Sequence, residues 1–480
     1  MNFSRIPGIR LNLTPSGEQS AHIPPPACSW QTEPRPNDPG LSAEQDEILS
    51  PDRVTQLDEL LSRMAEDETF SGSVLIAQED EVLLNRGYGS ADREQGIPNT
   101  PQTRFFVGSV TKQFTAMAIL ILQSQGRLDV QDPICRYIED CPAAWEDITI
   151  YHLLTHTSGM VVMPENSSYP ESPITPRELL GRFEDTPLDF QPGERISYSN
   201  CGYWVLGTII DQVSGQSYEA FVRQWILEPL EMHDSGFDQD ASILAVGYVD
   251  QNTAAPAPVI ESSFLYSAGG LYSTVEDLYR WDQALYTEQL ISRDLLDQMF
   301  IPRISLHPEA VGSPEYGYGW FVLDHMGRRL VMHGGALDGF RSWVYRYPGD
   351  RITIILLSNQ EDSQETLLFA WRYLIYETPT IETEDGATIM YAGPLDVPAG
   401  GRLMASFMVT DSSGQPAQGL LVGTLGESPA DSAAIRTSER LTTDGMIEIV
   451  WPVDLPAGTT RLYCRYRGVD YEVARITISP

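Results

Sequence analysis

The chain has 480 residues and sets 31 basic side chains against 67 acidic ones, a formal net charge of −36 at pH 7. Charge of that sign repels nucleic acid and anionic membrane surfaces, and no apolar run reaches membrane-spanning length. What remains is a solvated acidic surface around two domains or more, with a sizeable core in at least one.

Residues 1–50 are rich in Pro, Gly, Ser and acids without periodicity, and read as a disordered leader. The leader has basic residues but no apolar h-region, so no signal peptide is visible. A helix is expected near Asp52–Met64, with Ser50 as its cap. Ser71–Gln78 and Glu81–Gly87 predict two strands joined by a short acidic turn. Ser109–Gln125 predicts a helix with an apolar body (Phe114, Met117, Ile119, Leu120, Leu122), stopped at Gly126. Residues 130–315 mix helix and loop. Strands are expected again at Tyr318–Leu323, Arg329–His333, Phe340–Tyr347 and Ile352–Ser358, with a closing helix at Thr366–Tyr376. Strands at both ends with helices between imply one sheet built from both ends of a single α/β (α+β) domain, residues 51–378. Residues 385–480 change character: six short stretches alternate apolar and polar without a helix signal. They predict a β-sandwich, immunoglobulin-like in a general sense, without His or Lys and outside the chemistry.

The cysteines are Cys28, Cys135, Cys141, Cys201 and Cys464, an odd count at irregular spacing that is no disulfide framework. Cys135 and Cys141 stand close enough to pair locally, and free thiols fit equally well. No Cys/His cluster has metal-site spacing, so neither a metal nor another cofactor is expected.

Of the 31 basic residues 30 are Arg; the one lysine is Lys112, three residues after Ser109. Surface charge does not explain the exception, because Arg serves a surface equally well. Lys differs in that it can lose its proton when buried and act as a base. Ser-x-x-Lys is a nucleophile–base spacing, although chance alone matches it roughly once in fifteen. At the start of a helix the two side chains share a face, near backbone N–H groups and a positive partial charge. Two further segments fit. Tyr198-Ser199-Asn200 carries a Tyr-x-Asn, weak alone, since an isolated Tyr more often packs. His333-Gly334-Gly335-Ala336 ends a predicted strand, where paired glycines let a substrate approach the backbone.

Together, in this order, the three motifs resemble the serine β-lactamase and penicillin-binding-protein superfamily, above all its class C-like branch of D-Ala-D-Ala carboxypeptidases, D-aminopeptidases and carboxylesterases. Leu153-Leu154-Thr155-His156-Thr157-Ser158-Gly159-Met160 and Ala268-Gly269-Gly270-Leu271-Tyr272-Ser273-Thr274 resemble the same branch. The resemblance implies an antiparallel sheet flanked by helices, plus a helical region. It implies that Ser109 attacks an acyl carbonyl while Lys112, with Tyr198, removes its proton; either could be the base. Tyr198 would protonate the leaving group and later activate water. Asn200 would bond Lys112 and the substrate amide, and His333 and Gly335 would border the substrate. The N–H groups of Ser109 and Ala336 would form the oxyanion hole. Water would resolve the acyl-enzyme. Relatives work mostly outside the cytoplasm; the leader leaves the compartment open, and nothing in the sequence gives the oligomeric state.

One departure bears on the substrate. Many β-lactamases carry Lys where this chain has His333; Arg341 is a candidate to supply the charge, and sequence does not place it. His333 is expected to be mostly neutral unless shifted, and to favour β-lactams once acid charges it. The expected function is therefore hydrolysis of a small-molecule or peptide ester or amide. A class C-like β-lactamase or penicillin-binding protein is the first alternative. A silent binding protein is the second, opposed by the retention of Ser109, Lys112, Tyr198 and Asn200 together.

Overall fold

The computed structural model describes residues 49–480 except 165–169, 171, 238–243, 250–254, 259–260, 307–312, 326–327, 376–379, 384, 393–395, 399–401, 413–416, 418–419, 427–434, 441–445, 453–457, 468 and 480. Of the expected leader only Arg5–Ile6 and Ile9–Arg10 are described, as a short antiparallel pair; the rest lies outside the described residues.

An eight-stranded antiparallel sheet organises residues 72–358. Its strands are β1 (Gly72–Gln78), β2 (Glu81–Tyr88), β3 (Ile304–Ser305), β4 (Glu315–Tyr316), β5 (Phe321–His325), β6 (Arg328–Leu337), β7 (Phe340–Tyr347) and β8 (Ile352–Ser358). Their spatial order is β2-β1-β8-β7-β6-β5-β4-β3, so the two ends of the chain segment meet where β1 pairs with β8. That junction is inside the sheet, one strand from its edge, and all seven residues of β8 are buried. Alternate side chains serve opposite faces, as the two-residue period requires. Leu75, Ala77, Ile355 and Leu357 join the larger core, while Val74, Ile76, Ile354 and Leu356 face a second core.

The second core is closed by α1 (Pro51–Glu66) and α6 (Gln364–Ile375). In α1 the buried set Val54, Leu57, Leu60, Leu61 and Met64 recurs at helical spacing, and the Ser50 side chain accepts from Arg53 N–H at 3.2 Å. The larger core is built around α2 (Thr111–Ser124), with α3 (Asn200–Ser214), α4 (Ser262–Gly269) and α5 (Val275–Ala284) contributing. Residues 111–122 of α2 are buried all round, so its polar members must find partners inside the protein. Gly126, at φ +67°, stops the chain just past α2, and Arg127 N–H bonds back to the Leu122 carbonyl at 3.1 Å. Cys135 and Cys141 are joined in a disulfide; Cys201 and Cys464 are buried thiols.

The C-terminal strands form two sheets of four and five strands. Ile389, Tyr391, Phe407 and Val409 of one sheet and Leu421, Leu462, Cys464 and Ile476 of the other fill a single core, which makes the pair a sandwich. Three of these strands lack an expectation in the sequence: Thr380–Glu382, Asp396–Pro398 and Ile435–Arg440. The first two have three residues each, and the third is mostly polar, so none carries an alternating apolar signal. Met408 of the sandwich packs into the core that α1 and α6 cover, on the face of the main sheet away from α2. Among the described residues no helix is long and apolar enough to cross a membrane.

Candidate active site

Between Phe105 and Leu122 every residue is buried except Ser109, which is half-exposed. Gly108–Val110 form a single 3-10 turn ahead of α2, so Ser109 precedes the α-helix instead of opening it as expected. The turn is forced by close packing. Gly108 holds φ +51°, and a Cβ on it would begin 3.1 Å from Ala336 N. The end of β6 is thereby laid against the serine.

Lys112 lies in the first turn of α2 and is wholly buried. Its Nζ is 3.1 Å from Ser109 Oγ, 2.8 Å from Asn200 Oδ1 and 2.7 Å from the carbonyl oxygen of Ala268. Burial drives its pKa well below the usual amine range. A neutral amine has two N–H groups and one lone pair. In that form Asn200 and Ala268 accept from the two N–H groups and the lone pair can turn to the Ser109 hydroxyl; an ammonium would donate to all three.

Tyr198 immediately precedes Ser199, whose side chain caps α3 by accepting from Gly202 N–H at 3.0 Å. Lys112 Nζ stands 4.8 Å from the Tyr198 ring centre. Burial pushes the phenol well above its ordinary pKa, and a hydrogen bond with Ser109 pulls it only part of the way back. Burial thus favours the neutral form of both groups, the phenol with its proton and the amine without. Asn200 starts α3; its Nδ2 donates to Met163 Sδ at 3.4 Å.

His333 stands behind this group. It is 1% exposed. Its Nδ1 lies 2.7 Å from the Gly334 carbonyl, so that nitrogen carries the hydrogen, and Nε2 accepts from the Tyr316 hydroxyl at 3.0 Å. No N–H remains for a substrate. Burial first, then the neighbouring Lys112, push its pKa down to about 3. The expectation that mild acid would charge it is corrected accordingly. Arg341 does not substitute: its guanidinium pairs with Glu361 at 3.2 Å and donates to the Leu337 and Phe340 carbonyls at 2.7 and 2.8 Å.

Beside Ser109 opens a small pocket lined by Met163, Asn200, Trp204, Phe264, Leu265, Ala268, Ala336 and Leu337, without a charged side chain. Apart from Asn200 and Ala336, none of these stood out in the sequence as a site residue, because apolar pocket walls have the same composition as core. His156 is a further omission. It is buried at φ +59°, its Nδ1 accepts from Ser199 N–H at 3.1 Å, and its ring lies 4.2 Å from that of Tyr198. Its only signal was the segment around Thr155 and Ser158. Gly335 permits the close approach: a Cβ there would meet the Val107 carbonyl oxygen at 2.0 Å.

A serine hydrogen-bonded to a buried lysine, with a tyrosine beside it, just ahead of a helix packed against an antiparallel sheet, is an arrangement suited to a serine hydrolase that works through an acyl-enzyme. The chain belongs to the beta-lactamase family, whose model matches residues 57–376. It is similar to Penicillin-binding protein 4* of Bacillus subtilis (strain 168), 28% identical over 367 residues, 71% of this chain and 77% of that protein. Among solved structures it is similar to EstCE1, a hydrolase with promiscuous acyltransferase activity (22% identity, TM-score 0.59, 68% of this chain and 99% of that one). The octameric penicillin-binding protein homologue from Pyrococcus abyssi matches over 89% of this chain and 96% of its own, at 24% identity and TM-score 0.58.

Proposed function

We propose that the protein is an esterase-type serine hydrolase that takes an uncharged, apolar acyl group and turns it over through Ser109. The observation that carries this is the pocket beside the nucleophile, apolar and without a charged side chain in its lining. A substrate carboxylate finds no cation there, because His333 is neutral and internally bonded and Arg341 is paired. An ester without a carboxylate loses nothing by this.

The steps follow from the proton inventory. Ser109 passes its proton to the Lys112 lone pair as Oγ attacks the acyl carbonyl. The N–H groups of Ser109 and Ala336 receive the oxyanion. Tyr198 gives its proton to the leaving alkoxide, and the Lys112 ammonium resupplies the phenol. Water then adds to the acyl-enzyme, surrendering a proton to the same pair, and Ser109 regains its hydroxyl. His156, its ring tilted against that of Tyr198 and its Nδ1 bonded to Ser199 N–H, keeps the phenol in place.

A nitrophenyl ester of a short acid and a chromogenic cephalosporin test the reading. kcat/KM for the ester is expected to exceed that for the cephalosporin at least tenfold at pH 7. The ratio is expected to stay flat down to pH 5, since His333 remains neutral there. A higher value for the cephalosporin would make the protein a β-lactamase instead.

The C-terminal sandwich is expected to be dispensable for this chemistry, because every pocket residue lies between 109 and 337. A chain ending at 378 should hydrolyse the ester within about threefold of the parent, yet melt lower, since Met408 no longer covers the face of α1 and α6. Complete loss of activity in a folded truncate would show that the sandwich shapes the pocket.

A further inference from the structure

Tyr266, inside α4, has φ +41° and ψ −133°. A residue with a side chain holds that combination only when its surroundings impose it. Three hydrogen bonds to α3 do so. Tyr266 Oη donates to Asp211 Oδ2 at 2.6 Å, Ser267 Oγ to the Tyr203 carbonyl at 2.9 Å, and Trp204 Nε1 to the Leu265 carbonyl at 3.1 Å. Gly207 of α3 makes room for them: a Cβ there would begin 2.2 Å from Ser267 Oγ and 2.5 Å from Tyr266 Cε1. The other side of the same segment serves α2. The Ser267 carbonyl accepts from Thr115 Oγ1, and the Ala268 carbonyl from Lys112 Nζ, both at 2.7 Å.

We propose that Tyr266, anchored through its hydroxyl to Asp211, is a positioning residue: it holds the strained turn that aims the Ala268 carbonyl at Lys112. The inference rests on reading Lys112 as the base, and it adds the device that fixes the lone pair's direction. Of the three groups around Nζ, Asn200 and Ser109 approach from two sides, and Ala268 supplies the third point that orients the amine. Without the hydroxyl anchor the turn relaxes toward ordinary φ, and the peptides that follow rotate with it. Packing alone does not account for the hydroxyl, because the ring's edge contact with Tyr218, at 5.2 Å, survives in Phe. The groups facing Tyr266 are Asp211, Glu219 and Tyr218. Burial raises the Asp211 pKa to about 6, so above neutral pH the carboxylate is the acceptor. The groups facing Lys112 are Tyr198, Tyr203, His156 and His333; the tyrosines are held protonated and the imidazoles uncharged, so none of them titrates near neutrality.

The single lysine makes the test direct. In full-length protein labelled with lysine carrying ¹³C at Cε, one side-chain signal reports Lys112. Parent, Tyr266→Phe, Asp211→Asn and Gly207→Ala are titrated by NMR and assayed on the nitrophenyl ester. Tyr266→Phe is expected to lower the midpoint of the Lys112 signal, because the ammonium loses an acceptor. It should also reduce kcat about tenfold with KM within twofold, and move the acid limb of the rate profile the same way. Gly207→Ala, which displaces the turn from the α3 side, should act alike. Asp211→Asn, whose amide oxygen still accepts the hydroxyl, should stay near the parent in both readouts. The proposal is overturned if folded Tyr266→Phe or Gly207→Ala leaves the Lys112 titration unchanged or raises it, or if only the melting temperature falls. A parent without ester turnover would count against the esterase reading alone, since the NMR signal reports the amine in either case.

Discussion

Replacing Lys112 by Arg is expected to abolish ester hydrolysis as completely as replacing it by Ala, a loss of about 10³-fold in kcat/KM. Arg is the basic residue everywhere else in this chain, so by composition the change is mild. By chemistry it is not. The Lys112 lone pair faces Ser109 Oγ at 3.1 Å, and a guanidinium has donors only and no lone pair to offer at any working pH. The new cation would also be buried among neutral acceptors, Asn200 Oδ1 and the Ala268 carbonyl. The comparison is made on variants whose circular dichroism matches the parent. An Arg variant that keeps more than a tenth of the parental rate, a barrier change under ~1.4 kcal/mol, would remove Lys112 from the role of base.

The second large effect is expected at Gly335. A methyl group there would begin 2.0 Å from the Val107 carbonyl oxygen and 2.5 Å from Ser342 Oγ, which itself donates to that carbonyl at 2.8 Å. Backbone and bonded side chain cannot both yield, so Gly335→Ala must lift β6 from the Ser109 turn. The Ala336 N–H then no longer points where the oxyanion forms, and kcat should fall by about 10²- to 10³-fold. Gly349, in the turn between β7 and β8, has nothing within 4 Å of a built Cβ. Gly349→Ala is the control and is expected to be silent. Equal activity in the two variants would dissociate Ala336 from the oxyanion hole.

Much of the sheet was legible because its strands are short runs rich in β-branched, aliphatic and aromatic residues bounded by turn residues. Phe340–Tyr347 and Ile352–Ser358 form with the expected limits. Where the expectation slipped, the cause is local. Tyr318 was assigned to a strand, yet Gly317–Trp320 is a turn in which Gly319 takes φ +76° against the Lys112 carbonyl. A Cβ at Gly319 would begin 2.7 Å from that oxygen, a long-range constraint that no local pattern carries. Ser109 was placed inside a helix because its neighbours are apolar, and the 3-10 turn arises from contact with β6, more than 200 residues away in sequence.

The sequence by itself determined the chemistry. One lysine, at the right interval from a serine and followed by a Tyr-x-Asn, suffices to name a candidate nucleophile and two candidate bases, because the types of groups and their spacing set what reactions are open. The protonation preferences and the lining of the pocket were decided only by tertiary structure. Burial moves the Lys112 amine toward its neutral form and keeps the His333 ring uncharged because each is desolvated, and desolvation depends on what packs around a side chain from distant parts of the chain. The pocket is uncharged for the same reason: Met163, Trp204, Phe264 and Leu337 come from separate segments and read as core until the fold leaves them facing open space beside Ser109.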